Sequence, residues 1–241
     1  MELPQYTTVL LPRQLPNELL LRKYATLSIE AIRAIYDRVL LHAPQFIRPL
    51  ESWDRQLKED GYSCHLLLAP NVETGAMTLE EGQWVGMFAL QGPLEPEAYN
   101  FYRLEQISPS LEGPETRWLG LKLYLKEQHR NLEAMRLLRQ AVMGHIERET
   151  KRIFEEKLSH GQRVSARMQS SAYIGTTSYK YHQSSGAKVV AELSRREDLE
   201  YDGYLDEVPK EFLNEDMSET VSAVFEYVID FTMGEKSTAW I

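Results

Sequence analysis

The residues from Arg117 to Leu158 constrain this 241-residue chain more than any others. They open with RWLGLKLYL, where Leu119, Leu121, Leu123 and Leu125 alternate with Trp118, Gly120, Lys122 and Tyr124. Period-two alternation predicts a strand with one aliphatic face. A short polar turn, KEQHRNLEA, follows, and then the run MRLLRQAVMGHIERETKRIFEEKL. In the run Leu132, Met135, Leu138, Ala141 or Val142, His145 or Ile146, and Ile153 recur every three or four residues, which predicts a helix with one buried stripe. The first turn of such a helix leaves backbone N–H groups without intrahelical partners, at the positive end of the helix dipole. The unit is therefore either an ordinary strand–helix junction or a site for a phosphate-bearing ligand.

Hydrophobic residues make up 43% of the chain and charged residues 26%, so it can bury a real core. No apolar run reaches membrane-spanning length. The N-terminus MELPQYTTVLLPRQLP lacks the basic segment of a signal peptide. The single cysteine, Cys64, excludes an internal disulfide and multi-cysteine metal sites. It reads as a small strand residue and fits a reducing compartment, so a cytoplasmic location is expected. The net charge of −9 argues against nucleic acid and is compatible with a cationic small molecule. No membrane partner is expected, and the protein is expected as a monomer or homodimer.

Three prolines (Pro4, Pro12, Pro16) predict an extended arm over residues 1–17. Glu18–Thr26 is expected as a first strand, with Ser28 capping a helix whose face holds Ile29, Ile32, Ile35, Tyr36, Val39 and Leu40, ended by Pro44. Phe46 and Ile47 belong to loop packing or to a pocket wall. Ser52 is expected to cap a shorter helix closed by Gly61. Tyr62–Ala69 and Gln83–Leu90 predict an antiparallel pair. The segment 95–116 reads as an insertion loop rich in acidic and aromatic residues. After the central unit, Gln162–Gln169 predicts a strand, Ser170–Gln183 a short helix, Ala187–Leu193 a strand, 195–219 an acidic loop and Val221–Phe231 a last strand. The sum is one α+β domain over residues 1–241.

This order resembles the GCN5-related N-acetyltransferase superfamily, from about residue 18 to 231. LYLKEQHR looks like the fourth strand of that family and the start of its pyrophosphate loop, and the helix containing LLRQA like the helix after it. SYKYHQSSGAKVV resembles its late helix, turn and strand. The resemblance implies a mixed, mostly antiparallel central sheet with helices on both faces, and fourth and fifth strands splayed apart to admit a pantetheine arm. It implies transfer of an acetyl group from acetyl-CoA to an amine, here a primary amine of a small molecule. The cofactor-binding residues it implies are Leu123, Tyr124, Leu125, Gln128, His129, Arg130, Asn131, Leu132, Glu133, Ala134 and Met135. The chain departs from the pattern where alternating glycines are usual: Asn131, Glu133 and Met135 stand there. Asn131 can adopt a left-handed conformation. Glu133 is compatible with a diphosphate if it points away or pairs with Arg130 or Arg136. His129, Arg130 and Arg136 keep positive charge at the turn.

The resemblance also assigns roles. A main-chain N–H of the fourth strand, at Tyr124 or Leu125, serves the oxyanion. The acid for the departing thiolate is Tyr181 or His182, and His182 is expected to titrate closer to neutral pH. Glu105, Glu115 and Glu226 are carboxylates near the expected cleft and so candidate bases. The late acidic run reads as a solvated loop or as a funnel for a cationic amine, and Tyr99, Phe101 and Tyr102 could cover an apolar acceptor. Two other classes stay open: a degenerate scaffold on the same fold, and a transferase for a longer acyl-CoA.

Overall fold

The computed structural model describes residues 6–39, 48–99, 113–201 and 217–235, with the side chains of 35–39 left aside. Phe46, Ile47, Pro44, Leu40, Phe101, Tyr102 and Glu105 lie outside the described residues, as do the side chains of Ile35, Tyr36 and Val39 and most of the acidic loop.

Seven strands form one sheet: β1 (Thr7–Leu10), β2 (Tyr62–Ala69), β3 (Gln83–Gln91), β4 (Glu115–Leu125), β5 (Arg163–Tyr173), β6 (Lys188–Ser194) and β7 (Thr220–Thr232). Their order across the sheet is β1-β2-β3-β4-β5-β7-β6. Every neighbouring pair is antiparallel except β4 with β5. The helices are α1 (Glu18–Val39), α2 (Leu50–Lys58), α3 (Pro96–Tyr99), α4 (Leu132–Phe154), α5 (Thr177–Ser184) and α6 (Arg195–Tyr201). This is the α+β arrangement expected, a mostly antiparallel mixed sheet with helices on both faces.

One face carries α4. Ala134, Leu138, Val142 and Ile146 are fully buried there against Val85, Trp118, Ala166 and Met168. The other face carries α1 and α2, where Leu20, Tyr24, Leu27 and Trp53 pack on Cys64, Leu66 and Met87. A central sheet covered on both sides explains why β2 and β3 read as near-continuous apolar runs. Leu199 of α6 joins the α1–α2 cluster, so α6 reaches across the same face from the β6–β7 edge.

Several expectations need correction. Glu18–Thr26 is not a strand: it opens α1, because Leu20, Tyr24, Leu27 and Ala31 fall on one helical face and are buried. Ser28 is therefore mid-helix and fully buried, its hydroxyl 4.0 Å from Met87 Sδ. The helix starts directly after Asn17, which caps it, its Oδ1 accepting from Leu20 N at 3.0 Å. The first strand lies instead within the proline-rich arm, where Thr7–Leu10 pairs with Leu68–His65. Pro49, not Ser52, precedes the first turn of α2. β5 runs on to Tyr173, so Ser170–Tyr173 is strand and α5 begins only at Thr177. Leu132 is 90% exposed; the buried stripe of α4 begins at Ala134, since Leu132 occupies the first helical position and faces outward.

Candidate active site

β4 and β5 run side by side from Glu115↔Ser165 to Gly120↔Ser170, and their pairing stops there. β4 continues for five residues to Leu125 and β5 for three to Tyr173. Two features set this point. Gly120 permits close approach, since a Cβ there would lie 3.2 Å from both Cβ and Oγ of Ser170. On its other side β4 carries a bulge: Leu90 pairs with Gly120 and Ala89 with Lys122, which leaves Leu121 without a counterpart on β3. A bulge strengthens local twist and re-aims the residues after it. The four alternating leucines consequently do not share a face. Leu119 packs with Tyr99 and Val224, whereas Leu123 and Leu125 pack on the α4 side. Leu121 stays 39% exposed beside the divergence.

β4 ends in a turn built by its own main chain. Lys126 N donates to Val85 O, His129 N to Lys126 O at 2.8 Å, Arg130 N to Glu127 O at 3.2 Å and Asn131 N to His129 O at 3.0 Å. Asn131 caps α4, its Oδ1 accepting from Ala134 N at 2.9 Å. Its φ of −135° and ψ of 167° are extended, so the left-handed conformation expected of it is not used. The N–H groups of Leu132 and Glu133 remain first-turn donors with no acceptor among the described residues. Arg130 closes the end of β4, its Nε donating to Leu125 O at 3.0 Å. Among the described ion pairs none joins Glu133 to Arg130 or Arg136. Burial, and then Lys126, hold the His129 imidazole below its ordinary pKa. The positive charge at the turn is therefore carried by the arginines rather than by His129.

Diverging parallel strands that lead straight into a helix head were implied by the sequence resemblance, and the structure contains them. This is the sheet arrangement that the resemblance implied. No family model and no curated protein sequence matches it. Among solved structures it is similar to Arabidopsis thaliana NAA60 in complex with a bisubstrate analogue, with a TM-score of 0.48, 11% identity and coverage of 92% of this chain and 99% of that one. It is similar to the ribosomal-protein-alanine N-acetyltransferase of Brucella melitensis, with a TM-score of 0.45, 14% identity and coverage of 92% and 99%. It is also similar to FeeM, an N-acyl amino acid synthase from uncultured soil microbes, with a TM-score of 0.46, 12% identity and coverage of 93% and 91%. The architecture itself is decided by the strand order and the divergence.

On the α4 face α5 packs beside the end of β5, capped by Thr176, whose Oγ1 accepts from Tyr179 N. Tyr181 is half-buried, with the Arg139 guanidinium of α4 6.0 Å from its ring centre. His182 is only 2% exposed, stacks on Phe225 at 4.8 Å, and sets Nδ1 2.6 Å from Tyr227 Oη. Burial, then Arg139, push its pKa down to about 4. The expectation that His182 titrates near neutrality is thus not met: it is neutral at pH 7 and packed as a core ring.

The opposite face holds the carboxylates. Glu226 Oε1 accepts from Arg167 Nη1 at 2.9 Å, and its Oε2 accepts from Tyr99 Oη at 3.0 Å and Gln169 Nε2 at 3.3 Å. Glu115 lies 3.4 Å from Arg167 and also pairs with Arg117. Of the three candidate bases, Glu115 and Glu226 are committed to a buried ion network, and Glu105 lies outside the described residues. Tyr99 is 1% exposed, so it belongs to this network and covers no acceptor.

Sequence reasoning missed two groups. Tyr173, three residues past the last β4–β5 pair, donates to Asp198 of α6, and Ser222 Oγ donates to the same carboxylate at 2.6 Å. Burial holds the Asp198 carboxyl above the usual carboxylate range. Asp198 stood in an acidic run where nothing marked it from its neighbours. The second group lines a cavity of 570 Å³ on the β3 side of the turn, where Arg22 and Lys23 of α1 and Trp84 of β3 meet Lys126, Gln128 and His129. Lys23 lies 5.7 Å over the Trp84 ring, a contact between residues sixty-one positions apart that no local pattern signals. Among the described residues no group of His, Cys, Asp and Glu could hold a metal ion, and no helix is long and apolar enough to cross a membrane.

Proposed function

We propose that the chain is an acyl-CoA-dependent N-acetyltransferase that moves an acetyl group from acetyl-CoA to a primary amine of a small molecule. The observation that carries this reading is the divergence of β4 and β5 from Gly120 and Ser170, which leads directly to the free N–H groups of Leu132 and Glu133. Those donors, with Arg130 and Arg136 beside them, fit a diphosphate. Glu133 opposes it by charge.

Acetyl-CoA supplies a thioester already activated toward an amine. A main-chain N–H of β4, at Tyr124 or Leu125, would donate to the negative charge that gathers on the carbonyl oxygen. Tyr181 holds a proton for the departing sulfur, and the neighbouring His182 positions it through the stack on Phe225. Asp198, reached through Tyr173, is a better proton acceptor on the opposite face than Glu115 or Glu226, whose charges already balance arginines.

A thermal-shift titration with coenzyme A, acetyl-CoA and longer acyl-CoA tests the reading. A ligand at a hundredfold its dissociation constant stabilises by about 2.7 kcal/mol. A shift with acetyl-CoA is expected, together with a more than tenfold loss of turnover in Tyr181→Phe at unchanged CoA affinity. A larger shift with a longer acyl-CoA would redirect the donor. No shift with any of them would favour a scaffold protein on this fold, the reading that Glu133 supports.

A further inference from the structure

The turn at the head of α4 lacks the glycines that would let bare backbone close on a phosphate, and the structure shows what organises it instead. Tyr6, at the entry to edge strand β1, places its hydroxyl 3.1 Å from His129 Nδ1 and 3.2 Å from Asn131 Nδ2. Its ring meets the His129 imidazole edge-on at 5.8 Å.

Asn131 Oδ1 accepts from Ala134 N, which fixes the amide so that Nδ2 is the end facing Tyr6. Nδ2 can only donate, so the Tyr6 oxygen accepts there. The phenolic hydrogen can then be given to His129 Nδ1, with the imidazole proton on Nε2. Burial and Lys126 favour the neutral imidazole that this pairing uses. One hydroxyl thus ties the cap residue to the imidazole. The extended Asn131 that results leaves the Leu132 and Glu133 N–H groups facing outward from the helix head.

We propose that Tyr6 is a positioning residue for the anion-binding turn: by tying His129 to Asn131 it holds the α4 N–H groups in place for a diphosphate, doing with side chains what glycine does with backbone freedom. This rests on the cofactor reading above, and two probes keep the two apart. Coenzyme A and inorganic pyrophosphate are titrated by calorimetry into wild type, Tyr6→Phe, Asn131→Gly and the double variant, with the melting temperature of each measured.

Tyr6→Phe is expected to weaken both probes about fivefold, the worth of one ordinary hydrogen bond, at a melting temperature close to wild type. The double variant is expected to bind no more weakly than the weaker single one, because the two side chains act as one unit. Binding of both probes by Tyr6→Phe within about twofold of wild type, or full additivity in the double variant, overturns the proposal. Wild type that binds pyrophosphate but not coenzyme A overturns the cofactor reading and leaves Tyr6 to be judged on pyrophosphate. Wild type that binds neither overturns both. If Tyr6→Phe melts well below wild type, His129→Ala breaks the tie from its other end and is read by the same criteria.

Discussion

Removing the Glu226 carboxylate is the sharpest test of how the base of the divergence is held together. Its side chain is 6% exposed and that of Arg167 4% exposed, with 2.9 Å between them. Glu226→Ala strands the guanidinium in the core and takes from Tyr99 and Gln169 the oxygen they share. Breaking one side of a buried pair costs about 3–5 kcal/mol. Glu115 stays 3.4 Å from Arg167 and offsets part of that charge, which puts the expected loss near the lower end, about 3 kcal/mol. For a chain of this length that is a fall of roughly 6–12 °C in melting temperature. Urea unfolding followed by tryptophan fluorescence reads the loss directly. A loss below about 1 kcal/mol would refute the reasoning, because it would mean that Glu226 does not balance a buried charge. Glu226→Gln keeps the shape but removes the charge, so a loss approaching that of Glu226→Ala is expected; a large fall in turnover at nearly native stability would instead make the carboxylate a proton acceptor.

Two further predictions concern protons. His182 and His65 have pKa values pushed down to about 4 and about 3, in both cases mainly by burial. The unfolded chain then binds more protons than the folded one below the ordinary histidine pKa of about 6.5. The stability they contribute is complete above that value and falls as pH drops toward 4, by up to about 1.4 kcal/mol per pH unit for each ring. Urea midpoints measured between pH 7 and 4 should follow this slope, His182→Gln should flatten it, and an unchanged slope in that variant would contradict the burial. Cys64 is fully buried and its thiol is pushed up to about 12. It should resist a thiol-specific chromogenic reagent at pH 8 in the native state and give one equivalent in denaturant; prompt native reaction would show that this part of the core opens.

What could be read from the sequence was what repeats locally. The alternation of leucines located β4, and the spacing of Leu138, Val142 and Ile146 located α4 and its buried side. The bulge was hidden because an unpaired Leu121 looks like any other leucine in an alternating run; only the register with β3 reveals it. Glu18–Thr26 was misread because LLL suggests a strand until Tyr24, Leu27 and Ala31 are counted with Leu20 as one helical face. Tyr181 and His182 were found by their distance from Gly186, but the Phe225 and Tyr227 rings that neutralise His182 arrive from β7, more than forty residues later. The tie from Tyr6 to Asn131 spans 125 positions, and Asp198 of α6 is bound by Tyr173 and Ser222 from two separate strands.

The parting of β4 from β5 also bears on rigidity. Between Leu121 and Tyr124 on one arm and Ser171 and Tyr173 on the other, no described main-chain bond bridges the sheet. The two halves are joined there by α4 beneath and by Leu199 above. An occupant with amide groups of its own could stand in for the absent ladder and fasten one half to the other. Hydrogen exchange at β4 beyond Gly120 should then slow more on loading than exchange anywhere else in the molecule, as though the molecule finished folding around its guest.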